Sequence, residues 1–551
     1  MTPDSHVPGD RPSGAIRATR SPAVGRRGMI ATSQPLASAA GLAVLQGGGN
    51  AIDAAVTAAA VLAVVEPSMN GIGGDLFAMV HDAATGRLHA LDASGRSGAA
   101  ATPEAFTSRG MTTMPAGGPL TVTVPGVVSG WDALLSRFGT IALAEALAPA
   151  IHHARHGFPV AELVANEWRD AAPRLALDAA AGATFLPAGA PPRHGEVFAN
   201  ARLAASLELV AAGGRDAFYR GPLAAAIADD LRRRDGLLTA ADFAAHTCEW
   251  VDPIHTSYRG VEVHELPPST QGIVALEMLN ILEGFDIGAL GHNSADYLHV
   301  VSEARQIAFA DRGAWLADRA HVPADVLALL LSKDYAARRR DDIVMTQARR
   351  HLPGAPGTRP AAAEFSGRDR GDTVYLAAAD GAGNVVSFIQ SIFASFGAGI
   401  VAGETGITLH NRGSGFVLTP RHPNQVGPHQ RPLHTLVPAM LMRNGRPWLA
   451  FGVMGGDNQA QAHAQIVMNV VDFGMHVQAA GEAARVRHTG THLAVEDGIA
   501  PGVRAALEAR GHRLCNGRGQ MGGYQGVMID GDSGVLMGGS DPRKDGLAIG
   551  F

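Results

Sequence analysis

The chain has 551 residues, with 45 basic against 51 acidic side chains for a formal net charge of −6, and 46% hydrophobic against 17% charged residues. That length suits one large or several ordinary domains with a substantial core, and the balance excludes a disordered chain or a nucleic-acid-binding surface as its main business. Two cysteines, Cys248 and Cys515, exclude a disulfide framework or a cysteine metal site, allow at most one disulfide, and leave only two candidates for a thiol nucleophile.

Residues 1–27 are rich in Pro, Ser, Gly and Arg and have no apolar core of a secretory signal, so they read as a disordered lead-in. Pro35 to Glu66 reads as two alanine-rich helices broken at Gly47-Gly48-Gly49-Asn50. Its apolar run, Ala51 to Val65, is the longest in the chain, yet it contains Asp53 and Thr57 and falls short of the ~20 residues a bilayer span needs. A cytoplasmic location is the default expectation, with the periplasm left open. The glycine turn Asn70 to Asp75 feeds strands at Leu76–His81 and Arg87–Asp92. From Pro103 to Met345 the pattern is mostly helical, with one strand expected over Gly260–Pro268. Residues 346–372 form an aperiodic linker rich in proline, glycine and arginine.

After the linker the character turns to strands. Thr373 to Ala379, the turn Asp380 to Asn384, and Val385 to Phe393 make a hairpin. Further strands are expected near Ile407 and at Ala439–Arg443, Trp448–Val453, Val527–Asp530 and Val535–Gly538, with helices at Gln459–Phe473 and Gly502–Arg510. No fixed-period repeat is present.

The only lysines are Lys333 and Lys544, and neither follows a glycine, which removes a phosphate-cradling loop. His152 and His156 stand at metal-capable helical spacing but lack a neighbouring glutamate or second cluster, so they read as exposed helix histidines. The sharper feature is Gly371-Asp372-Thr373, where a polar linker ends on a hydroxyl residue that opens a buried strand. A threonine hydroxyl is a weak nucleophile unless a base takes its proton, and a free α-amine on the same residue, with a pKa near 7.7–8.0, is such a base. Cleavage just before Thr373 would supply it.

A series of motifs resembles the γ-glutamyltransferase family of N-terminal-nucleophile hydrolases. It comprises Arg27 to Thr32, Pro35 to Ser38, Gly48 to Ala55, Gly71-Ile72-Gly73-Gly74-Asp75, Val124-Pro125-Gly126, Leu279 to Gly284, Gly371-Asp372-Thr373 and Ser540-Asp541-Pro542-Arg543. The resemblance runs from about Gly28 to the C-terminus. It implies an α+β, four-layer αββα fold built jointly by a large subunit, 28–372, and a small catalytic subunit, 373–551, cut from one precursor between Asp372 and Thr373.

It further implies that Thr373 is the nucleophile, that Ser391 hydrogen-bonds it, and that the N–H groups of Gly455 and Gly456 form the oxyanion hole. Arg96 matches the clamp on a donor carboxylate. The machinery needs no metal or cofactor. The partners implied are a small-molecule amide and the two subunits themselves, without nucleic acid or membrane, and with higher oligomers left open.

The family's hold on a glutamyl α-amino group is not reproduced. Arg412 and Gly415 stand where an amide or carboxylate and an aspartate belong, His434-Thr435 replaces a serine pair, and Phe393 replaces an asparagine. The stretch from Phe416 to Arg431 is also shorter than the usual lid. Two catalytic readings follow: transfer or hydrolysis of γ-glutamyl amides, or an acylase for carboxylate-bearing amides lacking the α-amine, such as cephalosporin side chains or oxamate. A binding protein that has lost activity is the rival of another class.

Overall fold

The computed structural model describes residues 18–354 and 372–551. Two seven-stranded sheets, antiparallel throughout, pack face to face. The first runs Leu547–Gly550, Gly28–Thr32, Asp372–Asp380, Val385–Phe393, Asp75–Asp82, Arg87–Ala93, Glu249–Val251. The second runs Ala23–Gly25, Leu536–Ser540, Tyr524–Ile529, Arg446–Val453, Ala439–Arg443, Val261–Glu265, Ile254–Tyr258.

Alternation along the strand from Asp372 assigns the layers. Tyr375, Ala377 and Ala379 point into the space between the sheets, with Met29, Phe77, Met79, Met440, Ala450 and Val527. Val374, Leu376 and Ala378 point the other way, onto the helices Ala51–Val65 and Val127–Phe138. A strand buried on both faces must be apolar along its buried run, and this one is from Val374 to Ala379. The helix Ala51–Val65 is itself buried along its whole length, as a helix that is hydrophobic all round must be. It is fixed at its start by Asn50, whose side chain accepts from the N–H groups of Ile52 and Asp53, while Asp53 accepts from the Asn50 N–H. Against the outer face of the second sheet lie Gly272–Leu282 and Asn458–Val471, and Ala295–Trp315 packs on Gly272–Leu282. The four layers are helix, sheet, sheet, helix, as the αββα expectation had it.

Several local expectations are corrected. The lead-in is not disordered through residue 27, because Ala23–Gly25 pairs with the strand Leu536–Ser540, and the N–H groups of Arg26 and Arg27 donate to the Phe551 carbonyl. No strand forms at Ile407, since its neighbourhood makes only isolated bridges, Val401 to Thr408 and Gly73 to Leu409. The stretch expected to be mostly helical also supplies edge strands, Glu249–Val251 and Ile254–Tyr258. Cys248 and Cys515 are not joined to each other, so the allowed disulfide is not made. Of the expected linker, residues 355–371 lie outside the described residues.

Candidate active site

Thr373 sits at a bulge. The hairpin register pairs Asp372 with Phe393 but Val374 with Gln390, so Thr373 falls where the ladder slips by one residue. Bulges re-aim side chains, and here the Thr373 Oγ1 points to Ser391 Oγ at 3.2 Å. Both residues are buried. Ser391 Oγ also accepts from the Phe393 N–H at 2.8 Å, which fixes its place on the return strand. Across the next ladder Ser391 is the partner of Asp75. That approach depends on Gly74, where a Cβ would come within 2.3 Å of the Ser391 carbonyl oxygen.

Asp75 is the centre of a buried polar cluster. One oxygen accepts from the Gly95 N–H at 3.0 Å, and the other faces His434 Nε2 at 3.0 Å and His410 Nδ1 at 3.1 Å. His410 is positioned by two backbone contacts, its own N–H to Gly73 and its Nε2 to the Thr123 carbonyl at 2.8 Å. Burial works to raise the Asp75 carboxyl, but the two imidazoles outweigh it and hold the group far below the usual carboxylate range. Burial, and then the Arg412 charge, push His434 down to about 3. The stable pattern is therefore an anionic Asp75 receiving a hydrogen bond from neutral His434.

Arg412 opens a short 3-10 turn, Arg412–Gly415, and is only 1% exposed. Its guanidinium lies over the Phe393 ring, 4.0 Å from the centroid, and its Nη1 donates to Thr435 Oγ1 at 3.2 Å. Asp75 is 3.9 Å from its Nε. Nε and Nη2 are buried and have no hydrogen-bond partner among the described residues. Burial pushes the group down to about 9 from its usual value, with Asp75 opposing. A desolvated guanidinium with idle donors favours an incoming anion. Phe393 beneath it takes a φ of 76°, a left-handed value unusual for a bulky side chain.

Gly455 and Gly456 follow the strand Arg446–Val453, with φ values of 115° and 59° that only glycine adopts without cost. One amide ties this turn to the Arg412 side of the site. Gln271 Nε2 donates to the carbonyls of Gly456 at 3.0 Å and Thr435 at 2.9 Å. Gln271 is held in turn by Arg312 Nη1 at 2.7 Å, and Arg312 pairs with Asp457 at 2.7 Å. Arg96 belongs to a separate ionic group. It pairs with Glu249, which also meets Arg319 at 2.6 Å and Arg431 at 3.0 Å. Burial works to raise the Glu249 carboxyl, but Arg431 and then Arg96 bring it down to about 2.

Thr373 and Ser391 thus meet directly, Arg412 and Thr435 meet directly, and His434 joins them through Asp75. Among the described residues Arg96 is connected to this cluster only through the backbone, since its neighbour Gly95 donates to Asp75. Sequence reasoning assigned no role to Asp75, His410, Gln271 or Arg312. Asp75 lay within a motif already singled out and His410 stands two residues before Arg412, whereas nothing near Gln271 marks it.

A gamma-glutamyltranspeptidase family model matches residues 37–551. The chain is 38% identical over 545 residues to the glutathione hydrolase-like YwrD proenzyme of Bacillus subtilis (strain 168), covering 96% of this chain and 99% of that one. It is also 38% identical to the acylase ACY 1 proenzyme of Pseudomonas sp. (strain SE83), over 96% and 94% of the two chains. The crystal structure of cephalosporin acylase from Bacillus halodurans superposes with a TM-score of 0.90 at 40% identity, covering 99% of each chain.

Proposed function

The chain belongs to the gamma-glutamyltranspeptidase family, and from that premise we propose a self-cleaving N-terminal-threonine enzyme that breaks amides whose acyl group carries a carboxylate or a comparable anion. The observation that carries the catalytic half is the buried contact of Thr373 Oγ1 with Ser391 Oγ at the bulge. In the intact chain the Thr373 nitrogen is an amide. Attack of its hydroxyl on the Asp372 carbonyl shifts the acyl group from nitrogen to oxygen and frees the Thr373 amine, and water then hydrolyses the ester, releasing the Asp372 carboxylate and the Thr373 hydroxyl. That amine next serves as base while the hydroxyl attacks the substrate amide. The N–H groups at Gly455 and Gly456 receive the tetrahedral oxygen, the amine of the substrate leaves, and water or another amine takes the acyl group.

Arg412 supports the substrate half. A glutamyl ammonium would meet a buried like charge at the place where a counter-charge is needed, and that repulsion grows as water is excluded. An acyl chain ending in a carboxylate would instead engage the idle Nε and Nη2. The γ-glutamyl reading keeps one observation in its favour, since Asp75 is anionic and lies beside Arg412.

Purified protein is expected to run as two fragments, the smaller starting at Thr373, and Thr373→Ala to stay as one chain. A cleaved Thr373→Ala protein would refute the nucleophile. Glutaryl-p-nitroanilide is expected to turn over faster than γ-glutamyl-p-nitroanilide, and the reverse preference would restore the γ-glutamyl reading.

A further inference from the structure

Far from Thr373 in sequence, the helix Ala295–Trp315 carries His299 and Glu303 one turn apart. They face His512, in the turn after the helix Pro501–Ala509. His299 Nδ1 and His512 Nε2 are 2.8 Å apart, and the ligand atoms of all three residues lie within 4.8 Å of one another, each residue buried. The surroundings orient them as the second shell of a metal site does. The Val344 carbonyl, 3.0 Å from His299 Nε2, takes the proton on that nitrogen and leaves the Nδ1 lone pair facing inward. Glu303 is held by His351 Nε2 at 2.8 Å and by the Arg349 N–H at 3.2 Å.

We propose that His299, Glu303 and His512 form a site for a divalent transition metal such as zinc. Two imidazoles and one carboxylate supply three ligands and leave a fourth position for water. Ligand atoms around tetrahedral zinc stand roughly 3.3 Å apart, so the two imidazoles part by about half an ångström while the carboxylate closes in. On binding, His512 moves its proton from Nε2 to Nδ1, and Glu303 offsets one of the two metal charges. The nearby Arg510 guanidinium, which opposes a cation, is engaged by Asp296.

The ligands also straddle the chain in an informative way. His299 and Glu303 precede the proposed cut and His512 follows it, so the metal would join the two subunits. This joining role rests on the cleavage reading, while the ligand set does not.

The test uses the full mature chain with His152→Gln and His156→Gln, which removes the exposed imidazole pair 4.9 Å apart that would otherwise take up metal. After chelation and desalting, one equivalent of Co2+ is expected to give visible ligand-field bands and Zn2+ to displace it. His512→Gln and Glu303→Gln are expected to abolish the bands, and His351→Gln to weaken binding about 10–100-fold. Absent bands, or bands unchanged in both His512→Gln and Glu303→Gln, would overturn the site. Zn2+ is expected to raise the melting temperature of the mature protein. An uncut Thr373→Ala chain with intact bands keeps the ligand set. A mature protein that binds metal without gaining thermal stability would overturn the joining role alone.

Discussion

In the proposed function, Arg412 is a single side chain that redirects the site without touching its chemistry. Its burial is costly in the absence of a ligand, and its contacts with Phe393 and Thr435 hold it in place. Arg412→Met keeps length and stacking but removes the charge. It is expected to leave melting unchanged or raise it, while the KM for a glutaryl donor rises by about 1.5–3 kcal/mol of lost binding. Steady-state kinetics beside thermal denaturation checks both halves. Glu66 offers a second residue-scale test. Burial pushes its carboxyl up to about 8, against the opposing hydrogen bond from Ser33 at 2.8 Å. Because the folded pKa exceeds the unfolded one, the native state holds the extra proton. Stability therefore falls as pH rises from about 4.5 to 8 and levels off above. Glu66→Gln is expected to be more stable than the parent by at least about 1 kcal/mol at pH 8, with the gap closing toward pH 5. Thermal melts across that range decide it. The pairing of Thr373 with Ser391 was expected from the resemblance to the γ-glutamyltransferase family, and the 3.2 Å contact of their hydroxyls agrees with it. Gln271 was not legible in the sequence, because its role consists of two carbonyls 164 and 185 positions away.

Elements, rather than residues, bring the two ends of the site together. The Asp75–Asp82 strand must approach the return strand closely enough to set Asp75 opposite Ser391, and Gly74 permits it. Gly74→Ala places a methyl against backbone that cannot rotate away. The expected outcome is self-cleavage slowed about a hundredfold, from displacement of Ser391 by a fraction of an ångström to an ångström. A gel time course of the purified precursor measures it, with circular dichroism to show that the fold survives. The hairpin from Thr373 to Phe393 was readable from its turn chemistry and apolar runs. The bulge at its start was not, since register is set by the neighbouring strands and not by the hairpin alone. The segment near Ile407 misled for a related reason. Its apolar residues fill the helix-side core beside Leu203 and Phe396, yet its backbone finds no adjacent strand to pair with.

Across the whole molecule, neither sheet belongs to one side of the proposed cut. In the first sheet the strands Asp372–Asp380 and Val385–Phe393 lie between Gly28–Thr32 and Asp75–Asp82, and in the second Ala439–Arg443 pairs with Val261–Glu265. The cleaved fragments are expected to migrate together in size-exclusion chromatography and to separate only in denaturant. Fragments of 372 and 179 residues that elute apart in native buffer would contradict this. Periodicity in the sequence foretold helices and strands but not their interleaving, because which strands pair over hundreds of residues is decided by the packing of the finished core.

That interleaving changes what unfolding means. The precursor can open and close as one chain, with the ends of its sheets held at high effective concentration by the connecting residues. With the proposed cut before Thr373, the same opening would yield two pieces whose reunion depends on meeting in solution. Folding becomes a one-time event, and the lifetime of the mature enzyme is governed by the height of its unfolding barrier, not by the depth of its free-energy minimum.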